Sequence, residues 1–211
     1  MALVYFTLTG ILVLFGAAVM SLEILASNLM SPYFGGSIYI WGSIISSFMI
    51  HFSIGYVLGG YLCKRTAKVY PLLLLLIVAS AWIMLIPEIH PVTGAFVSER
   101  IDDVRYGSLV VMNIIFFVPV TIMAMVSPYI IGLLSLHERV TGLSAGLVLF
   151  ISTMGSFLGT NITAFYLINL FPVSVIVSGI GVSCLMLALF SLLIGLDKRL
   201  AGSPHPAPRA C

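Results

Sequence analysis

The chain has 211 residues, of which 61% are hydrophobic and only 8% charged, with nine Lys and Arg against seven Asp and Glu. Its mean hydropathy is +1.20. A soluble domain is about 45–50% apolar and about 25% charged, so these values exclude a water-soluble globule, a disordered chain and a disulfide-stapled scaffold, and leave an all-α integral membrane protein. The net charge of +2, with no basic run, excludes a nucleic-acid-binding surface.

A helix needs about 20 mostly apolar residues to cross the hydrocarbon. Six segments qualify, at 4–28, 39–62, 70–87, 107–126, 146–168 and 173–196. Their apolar runs are continuous rather than alternating, which excludes a membrane β-barrel. The first has no Lys or Arg before it and reads as a retained span, not a cleaved signal. Ser31-Pro32-Tyr33 follows it, with Pro32 a hinge candidate. Span 2 contains Gly55-Tyr56-Val57-Leu58-Gly59, a G-x-x-x-G helix-packing pair, and a stripe of Gly42, Ser46, Met49, Ser53, Tyr56 and Gly60 expected to face another helix. The longest loop is expected at 88–106, where Ser98 is placed to cap a short helix through Val104, either as an interfacial loop or as a lid.

Pro119 inside span 4 removes one helix hydrogen bond and is expected to kink it. Ser127-Pro128-Tyr129 follows, making Pro128 a third hinge candidate. Span 5 carries a second G-x-x-x-G, Gly155 to Gly159. Residues 1–200 read as one transmembrane domain, and 201–211, with three prolines, as a disordered cytoplasmic tail.

The two halves echo each other. The glycine pairs are offset by 100 residues, as are Gly42 and Gly142, and the Ser-Pro-Tyr pair by 96. Three spans per unit is an odd number, so the second unit must enter from the opposite face. The expectation is two inverted three-helix repeats, about 4–87 and about 107–196, an architecture common in secondary transporters. Lys64, Arg65, Lys68, Arg139, Lys198, Arg199 and Arg209 fall on one side of a six-span chain, and only Arg100 and Arg105 on the other. By the positive-inside rule both termini are cytoplasmic.

Glu23 is the one acid within a predicted span, and a charge deep in the bilayer costs about 2.5–3.5 kcal/mol even on insertion scales. It reads either as a cation or proton site in a cavity or as a packing acid bonded to neighbouring serines. His51, the only histidine within a predicted span, reads as a relay or as a satisfied core residue. Asn28, Tyr56 and Asn161 join Glu23 and His51 as ligand-site candidates. Cys63, Cys184 and Cys211 stand far apart, so neither a zinc site nor a disulfide framework is indicated. No nucleotide loop, hydrolase elbow or metalloprotease motif is present. No cofactor, metal or catalytic residue is assigned.

The run from Glu23 to Ser37, then Trp41 and Gly55 to Gly60, resembles the first half of the membrane region of membrane-bound spermidine synthase-like proteins. Ser127-Pro128, Arg139, Gly142, Ser144-Ala145-Gly146 and Ser152 to Gly159 resemble its second half. In that family a multi-span domain commonly precedes a cytosolic aminopropyltransferase domain, and no such domain is present among these 211 residues. Where the family tends to carry basic or polar residues, this chain has Asn28 and neutral residues near Gly132, Leu147 and Leu149, implying a drier interior. The resemblance implies a non-catalytic module of a bacterial inner membrane. One expectation is a homo-oligomeric carrier or binder of a small molecule, either a polyamine-like cation or an adenosyl compound. The alternative is an anchor or accessory subunit that docks a separate synthase-like enzyme or other membrane subunits.

Overall fold

The computed structural model describes residues 2–66, 68–137 and 142–196, and their regular structure is entirely helical. In chain order the elements are α1 (Ala2–Phe34), α2 (Ile38–Thr66), α3 (Tyr70–Ser98), α4 (Val104–Ala124), α5 (Val126–His137) and α6 (Gly142–Ile162). A π-helical segment (Thr163–Leu167), the short α7 (Ile168–Leu170) and α8 (Val173–Leu193) follow. Six stretches are long and apolar enough to cross a membrane: α1, α2, α3, α4 joined to α5, α6 through α7, and α8. The expected tail at 201–211, together with Arg139, Lys198 and Arg199, lies outside the described residues.

The spans are longer than their most apolar cores. α1 continues through Pro32 and ends at Gly35, whose φ of +77° is the left-handed conformation of a helix cap. α3 continues through Pro87 and Pro91 to Ser98, which corrects the expected 88–106 loop. Pro91 has no N–H to give the Pro87 carbonyl. The His90 ring Nδ1 takes that role, 3.1 Å from Pro87 O. Ser98 therefore stands at a helix C-terminus, its hydroxyl donating to Ala95 O, instead of opening a lid helix. The connection shrinks to 99–103, where the Asp103 carboxylate caps α4 by accepting from the Arg105 N–H at 2.9 Å.

α1 packs mainly on α6, α2 on α4 and α5, and α3 on α8. α1 also meets α4 and α8, and α3 meets α4. Helices in lipid are joined by close packing rather than by water exclusion, so small residues decide where backbones meet. A Cβ at Gly55 would lie 2.5 Å from Thr121 O, and one at Gly59 2.6 Å from Met125 O. On the other pair, a Cβ at Gly155 would lie 2.3 Å from Val13 O, and one at Gly159 2.4 Å from Ala17 O. Both glycine pairs thus seat a neighbouring helix backbone on their own.

The row that α2 turns inward is Ser43, Ser47, His51, Gly55, Gly59 and Cys63. The stripe expected to do so, from Gly42 through Tyr56 to Gly60, is exposed. Small residues occur in both rows. Only the inward row places its two glycines one turn apart, whereas Met49 and Tyr56 in the other would hold a partner away.

α4 is unbroken through Pro119. The Ile115 carbonyl, which loses its usual donor because Pro119 has no N–H, accepts from the Trp82 indole Nε1 of α3 at 2.9 Å. The interruption falls at Met125 instead, whose N–H turns back to Ile122 O, three residues earlier, at 3.1 Å. Pro128 lies four residues beyond Ala124 and cannot donate to its carbonyl.

A hydroxyl-walled cavity beside the break in span 4

The break opens onto a cavity of about 250 Å³ between α1, α2, the α4–α5 junction and α6. Leu12, Phe15, Gly16, Val19 and Met20 of α1 and Phe52 of α2 supply its apolar wall. Met123, Ala124 and Val126, on either side of the interruption, join the wall, and five residues with hydroxyls line the rest: Tyr56, Ser127, Ser152, Thr153 and Ser156. Ser127 Oγ donates to Ser152 Oγ at 3.1 Å. Ser156 Oγ lies 3.1 Å from both Gly16 O and Ser152 O, to which it donates. The rings of Phe52 and Tyr56 stack at 6.2 Å. The wall contains no charged side chain.

The five ligand-site candidates do not converge. Tyr56 lines the cavity, 52% exposed. Glu23 lies one turn beyond Val19 and Met20 on the same face of α1, and the Cα–Cβ bond of a helical residue leans back toward the helix N-terminus, here toward the cavity. Its carboxylate is half-buried and has no hydrogen bond or ion pair among the described residues. Asn28 is exposed near the end of α1. Asn161 turns its amide back to Phe157 O at 2.7 Å. His51 lies in a separate polar seam between α2 and α4, fully buried.

In that seam the Ser108 hydroxyl donates to Ser43 Oγ at 2.8 Å. Deeper in, the Asn113 amide donates to Leu109 O at 2.8 Å. Asn113 Oδ1 lies 3.0 Å from His51 Nε2, which fixes the proton on Nε2 and leaves Nδ1 buried with no partner among the described residues. The seam joins α2 to α4, and among the described residues no hydrogen bond links His51 to Glu23.

Pro32 and Pro128 occupy unlike places despite their shared tripeptide. Ser31 and Pro32 are exposed in the last turn of α1, whereas Ser127 walls the cavity and Tyr129 is fully buried. Tyr129 bonds Thr66 Oγ1 at 3.0 Å and donates to Lys68 O, tying α5 to the α2–α3 connection.

Two further hollows of about 350 Å³ each flank the π-helical segment and are apolar. Their hydroxyls are spent internally: Thr163 donates to Ser21 at 2.8 Å, Ser21 to Gly159 O at 3.2 Å, and Ser183 to Ile180 O at 2.9 Å. Among the described residues no group of His, Cys, Asp and Glu is arranged to hold a metal ion.

Sequence reasoning missed Ser127, Ser156 and Phe52 as cavity residues. The available signal was the Ser152/Ser156 pair, one turn apart on the face of α6 that also carries Gly155 and Gly159. No family model matches this chain, and neither does any curated protein or solved structure.

Proposed function

We propose that this polytopic membrane protein is a small-molecule binding or transport module whose site is the hydroxyl-walled cavity. The observation that carries the reading is a cavity with five hydroxyls in a largely apolar wall, placed at the interruption of a transmembrane span, where transporters present backbone groups to a substrate. Glu23, on the adjoining turn, supplies the one negative charge on that face of α1.

The reading includes two inverted three-helix units. Exchanging spans 1, 2 and 3 for 4, 5 and 6 turns the pairing of span 1 with span 5 into that of span 4 with span 2, and maps the pairing of span 3 with span 6 onto itself. The observed partners are consistent with this exchange. Exposed Lys64, Arg65 and Lys68 mark one end of the bundle, and Glu99, Asp102 and Asp103 the other, so we place the first end and both termini in the cytoplasm of a bacterial inner membrane.

The resemblance to the spermidine synthase-like membrane region points to a polyamine-like cation or an adenosyl compound. Ligand pockets usually enclose about 300–1,000 Å³, and a cavity of about 250 Å³ favours the slimmer amine. In proteoliposomes, Glu23→Gln is expected to lower flux of a labelled polyamine at least tenfold while leaving the purification profile unchanged. Wild-type flux in that variant would remove Glu23 from the mechanism.

A second reading is a non-catalytic anchor or accessory subunit for a synthase-like enzyme or other membrane subunits. It is favoured by the exposed basic cluster and by the sparse burial of spans 5 and 6, 17% and 28% of their most apolar stretches. It predicts a stoichiometric partner after purification in mild detergent. A chain that purifies only alone or as a homo-oligomer, which the carrier reading expects, would exclude it.

A further inference from the structure

We propose that the face of α6 turned away from α1 is the surface on which a second copy of this chain packs, with the two Asn161 amides bonded to each other across the contact. The inference gives a surface to the homo-oligomer expected of a carrier, and it rests on neither the cavity nor its ligand.

α6 packs on α1 through Gly155 and Gly159, and lightly on α5. Its other side carries Leu143, Leu147, Phe150, Met154, Phe157 and Asn161, spaced alternately by four and three residues. The five apolar members are exposed, and the span that holds them is the least buried of the six, 17% of its most apolar stretch. An apolar face in a bilayer needs no partner, because acyl chains cover it as well as another helix would. Asn161 is what sets this face apart. It stands five residues from the midpoint of the Gly142–Leu170 stretch, about 8 Å along the helix, within a hydrocarbon layer that reaches about 15 Å to either side of its centre. One of its amide N–H groups goes to Phe157 O at 2.7 Å. A side-chain amide has two N–H donors and two acceptor lone pairs. The second N–H and Oδ1 of Asn161 have no partner among the described residues. Lipid tails have no group to offer them, and hydrocarbon holds no water to take their place.

The chemistry of the amide selects the occupant. It both donates and accepts, so it is its own complement. Two copies inserted in the same direction are related by a two-fold axis along the membrane normal, which sets each residue of the seam opposite its own counterpart. The free N–H of each Asn161 then meets Oδ1 of the other. Four-three spacing is the repeat at which two helices stay in contact at the shallow left-handed crossing common in membranes. In that repeat Leu147, Met154 and Asn161 take the a positions and Leu143, Phe150 and Phe157 the d positions. A single Asn among apolar a residues fixes both register and the number of helices.

The test uses the full chain in phospholipid vesicles, with donor-labelled and acceptor-labelled copies mixed over a wide range of protein-to-lipid ratio. Energy transfer that rises with that ratio and saturates as for a dimer is the expected result. Asn161→Leu is expected to raise the dissociation constant about tenfold, the size of a polar bond between helices in lipid. Asn161→Gln keeps an amide and is expected to keep the association. The direction is diagnostic, because leucine adds apolar surface and would leave a merely apolar contact unchanged or tighter. In a Cys211→Ser background, Phe157→Cys is expected to give a disulfide-linked dimer on mild oxidation, since d positions face each other within reach of a disulfide. Val78→Cys, exposed on α3, is expected to give none. A wild-type chain that stays monomeric at every ratio would overturn the proposal, and this result needs no variant to fold. Equal association of wild type and Asn161→Leu would also overturn it, as would a dimer that Phe157→Cys does not link. Association is read without flux, so a chain that pairs but does not transport would count against the carrier reading alone.

Discussion

Gly155→Ala is expected to lower the unfolding free energy by about 3 kcal/mol or more, the upper range for overpacking a tight contact. Gly155→Leu is expected not to fold. The added Cβ would lie 2.3 Å from Val13 O and 2.7 Å from Val13 Cα, and a backbone has no rotamer by which to move away. The whole of α1 would have to withdraw from α6, losing the Gly159 contact with Ala17 and the hydrogen bonds of Ser156 to Gly16 O and Ser21 to Gly159 O. Gly10→Ala is the matched control: nothing lies within 4 Å of its Cβ position. Removing a mid-helix glycine should there be neutral or stabilising by about 0.5–1 kcal/mol. Unfolding in mixed micelles, followed by circular dichroism, measures both. An unchanged midpoint for Gly155→Ala would mean that backbone approach is not what joins spans 1 and 5. The same measurement at Gly55, against Thr121 O and Ala124 Cβ, tests the second seat.

The second large effect is a coupling. Trp82→Phe keeps an aromatic ring but removes the N–H that satisfies Ile115 O, and an unsatisfied buried carbonyl costs about 1–3 kcal/mol. No water reaches the hydrocarbon to replace it. Pro119→Ala restores a main-chain N–H to the same carbonyl. The double variant is therefore expected to be less destabilised than the sum of the single variants predicts, with an interaction energy of about 0.5–3 kcal/mol. A cycle that closes to zero would show that the indole bond carries no net stability and that Pro119 is accommodated by other means.

These two experiments address the points where local sequence rules and the folded chain diverge. Pro119 removes one hydrogen bond from α4, yet Trp82, 37 positions earlier, supplies the missing donor, and α4 continues. No window of sequence around Pro119 contains that information. The same holds for Pro91, where His90 bonds the carbonyl left open. At Pro128 no such donor is found among the described residues, and the helix breaks one turn before it.

The candidate site was legible only in part. Glu23 stands out in any reading because an acid in an apolar run is costly, and it follows the cavity-lining Val19 and Met20 by one helical turn. Tyr56 was found through the glycine pair beside it. His51, Asn28 and Asn161 share with them only that each is a polar residue in oil, and polarity says nothing of which neighbour a side chain meets. His51 and Asn161 each bond to a neighbouring group and leave the cavity to serines. Serine is weakly informative in a membrane span, since it can return its proton to its own helix at little cost.

Composition and run length alone determined that this is an all-α protein with six segments able to cross a membrane, because the need to keep backbone polar groups bonded in hydrocarbon leaves few alternatives once six apolar runs exist. They also determined that the glycine pairs join helices. Tertiary structure alone decided which face of α2 turns inward, where span 4 breaks, and which hydroxyls surround the cavity. Those outcomes depend on fits of a few tenths of an ångström between backbones, and on donors brought from distant parts of the chain, quantities that hydropathy and spacing do not encode.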